Sequence, residues 1–359
     1  MVFRKQFILT LLTLINRISA LTKLFSARKA LKTTSNLLMV AGCSILLSGC
    51  EAKKPAGPPE KFTIAIPKNI NPVLMKIADV KGYFREEGLD VNLQLHSSGK
   101  AAIQSLLDGK ADLAAAADTP IMFAMMKGAR LSILATIDTS TKDDAIVARK
   151  DRGIASVSDL KGRKVGVTLG TAGDYFLDSY LVMNALSRKD VVIVEMKPEE
   201  MSEALSQGKI DAVSTWQPNV SNLLKALGQR GIMLHSDSVY TQTFNLVSMQ
   251  PLTRQRPEAL RRLLRALVKA EGFAAANSKE SQRIMSAFSG MDGESLAGIW
   301  NDFVYNISLN QSLLVTLEDQ ARWAIKNGLT DRRDLPSFFD ALYVDGLKSV
   351  KPDAVRVIR

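Results

Sequence analysis

From Lys61 onward, short runs of apolar, often β-branched residues take turns with stretches whose apolar residues recur every three or four positions. Phe62–Ile66 (FTIAI) predicts a strand, and Pro72–Glu87 a helix closed by Gly88. Leu89–His96 (LDVNLQLH) alternates as a half-buried strand does, and Ala101–Asp108 predicts a helix stopped by Gly109. Asp112–Ala117, Pro120–Lys127 and Leu131–Ile137 continue the pattern, and Ala145–Arg149 adds a further apolar run. The pattern then restarts. Lys164–Thr168, Tyr175–Leu186, Val191–Met196, Glu199–Ser206, Asp211–Thr215, Val220–Leu227, Ile232–Leu234 and Phe244–Met249 alternate strand with helix. Pro257–Gly328 reads as almost wholly helical, with Leu260, Leu263, Leu264, Leu267 and Val268 at helix spacing.

Strands that alternate with helices imply parallel-rich sheets covered by helices, because parallel strands need crossover connections. The two halves echo each other: Leu106-x-x-Gly109-Lys110-x-Asp112 recurs as Leu205-x-x-Gly208-Lys209-x-Asp211, 99 residues later. Each copy is a helix end with glycine just past it, turning into a buried strand. Alone this is ordinary α/β grammar; at matching places in two units it implies two similar lobes.

The bulk composition fits that picture, with 46% apolar and 23% charged residues in a chain of 359, enough for two domains. The net charge of +11 points toward nucleic acid only until it is divided along the chain. Residues 1–50 hold seven bases and no acid, so the remainder carries a net of about +4 with no dense basic run. A nucleic-acid partner is therefore not expected. The two cysteines, Cys43 and Cys50, both lie in the N-terminal apolar zone, and the two histidines are His96 and His235. That inventory excludes a disulfide framework and a Cys- or multi-His metal site, and no cofactor is expected.

Residues 37–49 form a 13-residue apolar run behind Arg28, Lys29 and Lys32, too short to span a bilayer and right for a signal-peptide core. It ends in Leu47-Ser48-Gly49-Cys50, which resembles the bacterial lipoprotein signal, whose cysteine is acylated and becomes the new N-terminus. Residues 1–49 are thus expected to be a signal peptide and 50–60 (CEAKKPAGPPE) a lipidated, proline-rich tether. A 49-residue leader is long against the usual range of about 15–30. Translation from Leu31 would bring it into range; the alternative is a genuine upstream segment, of which Phe7–Ile15 is also too short to span.

Ligands of open α/β sheets sit beyond the carboxyl ends of strands, where helix N-termini present free N–H groups. The strand ends read from the sequence supply Asn69, Asn71 and Pro72, then His96, Ser97, Ser98 and Gly99, then Asp118, Thr119 and Pro120. In the second half they supply Gly170, Thr171, Ala172 and Gly173, then Trp216, Gln217 and Pro218. The candidate ligand-binding set is Asn71, His96, Ser98, Gly99, Asp118, Thr119, Gly170, Thr171, Ala172, Gly173, Trp216 and Gln217. Each has a plainer reading. Asp118, Thr119 and Thr171 suit helix caps, His96 a strand end, and Trp216 a core position. Trp300 and Trp323 read as packing residues. Asp118 would repel a simple anion unless it caps a helix or meets an amino group, and Lys68 and Lys100 are the only basic residues at these strand ends.

The segments GYFREEGLDVNL (82–93), LLDGKADLAAA (106–116), SDLKGRKVGVTLGTAGDYFL (158–177) and ALSQGKIDAVSTWQP (204–218), behind the Leu-Ser-Gly-Cys run, together resemble the nitrate/sulfonate/taurine-type periplasmic binding proteins over about residues 61–350. The resemblance implies a two-lobed α/β fold, with parallel-rich sheets flanked by helices and a mixed strand at each crossing. On that template lobe 1 comprises 61–147 plus 249–359 and lobe 2 comprises 148–248, with crossings near Ala145–Arg149 and Leu246–Met249. It further implies a non-enzymatic monomer in the cell envelope that captures a small anion or zwitterion. An ABC permease and its cytoplasmic ATPase would be the partners, with the membrane reached through the lipid on Cys50. Hinge closure about the crossings would bury the solute. Two other readings stand beside it. One is a pyrimidine binder, or an enzyme like the pyrimidine synthases of thiamine biosynthesis, although those use a cysteine-rich, His-containing site and no cysteine follows Cys50. The other is a sensor lipoprotein that does not transport.

Overall fold

The computed structural model describes residues 58–358; the leader and Cys50 lie outside the described residues. Two sheets organise the chain. In the first, β1 (Glu60–Pro67) runs parallel to β2 (Leu89–His96) and to β3 (Leu113–Ala117). β4 (Leu131–Ser140) ends this part of the chain, and β5 (Asp144–Arg149) opens the second sheet. There, β6 (Lys164–Val167) pairs parallel with β7 (Val192–Glu195) and β8 (Ala212–Trp216), while β5 runs antiparallel to β8 and to β9 (Gly231–Leu234). β10 (Gln242–Met249) then returns to the first sheet, antiparallel between β3 and β4, and β11 (Phe303–Val304) adds to the far edge of β4. The strand orders are β11-β4-β10-β3-β1-β2 and β7-β6-β8-β5-β9.

The helices that place the cleft are α1 (Val73–Val80), α2 (Gly99–Leu107), α3 (Asp118–Met126), α4 (Ala172–Met183), α5 (Pro198–Ser206), α6 (Asn219–Leu227), α7 (Pro257–Ala276) and α8 (Gln311–Lys326). Burial follows the strand period of two. Along β5, Ile146 and Ala148 join the core under α4 with Phe176, Leu177 and Leu181. The alternate residues, Ala145 and Val147, join the opposite core with Met201, Leu205 and Leu223. Every residue of β5 is therefore buried. β3 is LAAAA because α2 starts very close to it: a Cβ on Gly99 would stand 3.0 Å from both Cα and Cβ of Ala116. The larger first core holds Phe62, Ile64, Ile66, Leu113, Ile121 and the inward stripe of α7 (Leu260, Leu263, Leu264, Leu267), each such side chain contributing about 1.5–3 kcal/mol on burial.

Three expectations change. Ala145–Arg149 is not a crossing but lies wholly in the second sheet, and Leu246–Met249 lies wholly in the first. The chain passes between the sheets one step earlier each time, through 141–143 and 235–241. An apolar run announces a buried strand but not which sheet buries it. Second, the helix expected over Pro72–Glu87 breaks at Gly82, which adopts a left-handed φ of 77° and starts a separate short helix, Tyr83–Glu86. Third, the helical stretch Pro257–Gly328 is interrupted. Ser278–Ser289 ends at Gly290 (φ 78°), and residues 303–310 return to β pairing, with Phe303 opposite Ser140 and Ser308 bridged to Thr136.

Candidate functional site

Between the two sheets lies a narrow pocket. The first sheet's side lines it with Asn69 and Asn71 after β1, Ser98, Gly99 and Lys100 at the start of α2, and Ala117 and Pro120 at the start of α3. Gln242 and Phe244 of β10 complete that wall. The second sheet supplies Thr171 and Ala172 at the start of α4 and Trp216 at the end of β8. Asp143 comes from the passage between them.

Three helix N-termini, those of α2, α3 and α4, reach this space. Ser98 caps α2 by accepting the Ala101 N–H at 3.2 Å. Thr171 precedes α4 without capping it; its hydroxyl donates instead to the Thr168 carbonyl at 2.6 Å. α4 approaches β8 closely, with the Ser214 hydroxyl donating to the Gly173 carbonyl at 2.7 Å. A Cβ on Gly173 would sit 3.1 Å from the Ser214 carbonyl oxygen, so glycine is what lets this helix start so near the strand. Lys100 reaches across the cleft and donates to the Leu169 carbonyl at 2.8 Å.

At the other side of the pocket stands a group of buried carboxyls. Asp143 accepts from Asn71 Nδ2 (2.9 Å), from the Gln217 N–H (3.1 Å) and from Gln242 Nε2. Asp118 accepts from the Thr243 N–H and hydroxyl (2.8 and 3.0 Å) and from Gln320 Nε2 (2.7 Å). Asp144 has one oxygen 3.4 Å from the Tyr240 hydroxyl and the other without a partner, and neither oxygen of Asp138 has a partner at hydrogen-bond geometry, although the nearby Asn71 amide partly offsets its burial. No Lys, Arg or His side chain forms an ion pair with any of the four among the described residues. Burial lifts all four above the ordinary carboxylate range, Asp138 and Asp144 well above it, and the Asp143 charge raises both further. Burial pushes the Tyr240 phenol well up too, with Asp118 and Asp144 adding to it.

The sequence profile of the family described as NMT1/THI5 like matches residues 69–281, more than half of the chain and most of this cleft. The chain belongs to the NMT1/THI5-like family. A Bacillus subtilis relative named for binding aliphatic sulfonates is 24% identical over 319 residues, covering 86% of this chain and 95% of that protein. The fold matches that of the alkanesulfonate-binding protein of Xanthomonas axonopodis bound to MOPS, with a TM-score of 0.70 at 19% identity over 80% of this chain and 99% of that one. It also matches the periplasmic nitrate-binding protein of Synechocystis, with a TM-score of 0.65 at 16% identity over 83% and 90%. The expected two-sheet α/β fold of periplasmic binding proteins is therefore the fold of this family member. A desulfurization enzyme, in complex with biphenyl-2-sulfinic acid, shares the fold as well (TM-score 0.59, 17% identity, 82% and 99% coverage), so the fold alone does not separate binder from enzyme.

Of the twelve candidates read from the sequence, Asn71, Ser98, Gly99, Thr171, Ala172 and Trp216 meet at this pocket. The others lie around it. His96 lines an outer groove with Thr168 and Met196, and burial lowers its pKa. Gly170 faces a separate hollow beside Phe123 and Leu329. Gly173 packs on β8, and Gln217 accepts from the Ser221 N–H and hydroxyl. Asp118 and Thr119 are fully buried; Ala117 is the N-cap of α3, so neither is its cap, and the Asp118 carboxylate turns to Thr243 and Gln320. Trp300 packs on Tyr305 as expected, but Trp323 does more, packing on Phe123 and Tyr175 and donating to Asp178 at 2.8 Å. Asp143, Gln242 and Phe244 were not among the candidates. The adjacent acids Asp143-Asp144, set between two apolar runs, were the one available signal.

Proposed function

We propose that this family member is the solute-binding component of an ABC importer and takes one small anion or zwitterion of the sulfonate, taurine or nitrate class into the pocket between its sheets. The protein works outside the cytoplasm as a monomer without catalytic activity, tethered by a lipid on Cys50. Two lobes close about the passages at 141–143 and 235–241, and the closed form is the one that meets the permease. The supporting observation is one pocket walled by residues of both sheets, with the N-termini of α2 and α4 opening on it. Helix N-termini stabilise bound anions through free N–H groups and the helix dipole. A thermal-shift titration with sulfonates, nitrate and amino acids of similar size tests this. A true ligand raises the melting temperature progressively as its concentration passes Kd, and a flat response to every solute overturns the reading. For the anchor, Cys50→Ser moves the protein into the soluble envelope fraction; retention in the membrane fraction would exclude it.

A second reading has an observation of its own. Trp216 and Phe244 give the pocket two aromatic walls, and the Asn71 Oδ1 there lacks a donor, which also suits a flat N–H-bearing ring such as a pyrimidine.

A further inference from the structure

We infer that the end of this pocket walled by Asp143 and Asn71 seats a positively charged nitrogen of the ligand, so the solute is an amine or an amino-bearing zwitterion and not a simple anion. This rests on the solute-binding reading above and narrows it. Asp143 lines the pocket and is only 2% exposed. Its three donors are neutral amides, which hold an acceptor in place without cancelling a charge. The second observation is a neutral acceptor beside Asp143. Asn71 is 1% exposed and lines the same pocket, and its amide nitrogen is taken by Asp143 while its Oδ1 receives nothing. A buried acceptor left without a donor is unfavourable, and a donor from the ligand is what would satisfy it.

The surrounding groups agree in sign. Asp118, Asp138 and Asp144 are buried with no ion pair among the described residues, and the charge of Asp143 disfavours ionisation of Asp138 and Asp144. A cation beside Asp143 offsets that repulsion; a sulfonate or nitrate in the same place adds to it. Trp216 and Phe244 line the pocket with aromatic surface, which attracts a desolvated ammonium. Lys100 is the only basic side chain lining the pocket among the described residues, and its ammonium is held by the Leu169 carbonyl. The N-termini of α2 and α4 remain for the ligand's anionic group, where it has one.

The test uses matched pairs that differ by the amine: taurine against ethanesulfonate, β-alanine against propionate, 2-aminoethylphosphonate against ethylphosphonate, and ethanolamine against ethanol. Binding is measured by calorimetry on the mature protein and on D143N. In at least one pair the amino member binds at least tenfold more tightly, and D143N, melting no lower than wild type, erases that preference. If the amine-free members bind as tightly or more tightly, the inference falls and the solute-binding reading stands. The inference falls in the same way if D143N folds and keeps the preference. If no member of any pair binds, the inference is overturned, and the sulfonate and nitrate titration above then decides whether the solute-binding reading falls with it.

Discussion

Two groups of buried aspartates in this molecule differ in their partners. On α4, Asp174 and Asp178 share Arg188, whose guanidinium is 2.7 and 2.9 Å from them, and Trp323 of α8 donates to Asp178 as well. Burial works against the Arg188 charge, but the two acids outweigh it and hold the guanidinium protonated; burial still leaves the Asp178 carboxyl above its ordinary value, with Arg188 pulling it back down. Asp118, Asp138, Asp143 and Asp144, equally buried, have only neutral donors or none. A fold that can bring arginine to one pair of acids and leaves four others without a base has a cost that packing alone does not repay. The first group is complete within the chain. The second has no counter-charge among the described residues.

The contrast breaks first at Arg188. Replacing it with Met leaves two acids buried without their cation, and urea unfolding should show a loss of about 3–5 kcal/mol. A loss below about 1 kcal/mol would mean that the acids simply take up protons and that the two groups are not different in kind. Acid-group variants sharpen the other side. The carboxyl of Asp138 has a folded value well above its unfolded one, so its contribution to stability is fully present below the ordinary carboxylate range near pH 4 and is lost as pH rises through the folded value. Asp138→Asn has no such loss. Between pH 5 and pH 8 the variant should therefore gain on the wild type by about 2–4 °C in Tm, and parallel pH curves for the two proteins would refute it. The smallest effect is optical. Trp216 lines the open pocket, whereas Trp323 is bound to the closed ion group. With any solute that binds, Trp216→Phe should remove most of the ligand-induced change in emission and Trp323→Phe little of it; the reverse pattern would move the site toward α8.

Much of this was legible from residue order, and the reasons are local. β1, β2, β3 and β8 announce themselves through alternation or a continuous apolar run, and the glycines after α2 and α5 mark their ends. Helix starts after strands placed Ser98, Gly99, Thr171 and Ala172 at the pocket, because a parallel sheet puts successive helix N-termini along one edge. Asp143 escaped because it belongs to neither strand nor helix, and only the passage between sheets carries it to the cleft. Gln242 and Phe244 escaped because an antiparallel return strand offers its beginning, not its carboxyl end, to that edge. The contribution of residues 303–310 to the first sheet was hidden by helical patterning on both sides.

The place of β10 has a consequence for the order in which the molecule can be made. β3 and β4 are both synthesised before residue 141, yet they do not pair with each other; the strand that joins them spans Gln242–Met249. Until that strand is available, the first sheet is two fragments with open inner edges, while every strand of the second sheet precedes it in the chain. Open edges invite wrong partners, and long-range pairing is slow. The half of the chain that begins first is thus obliged to finish last.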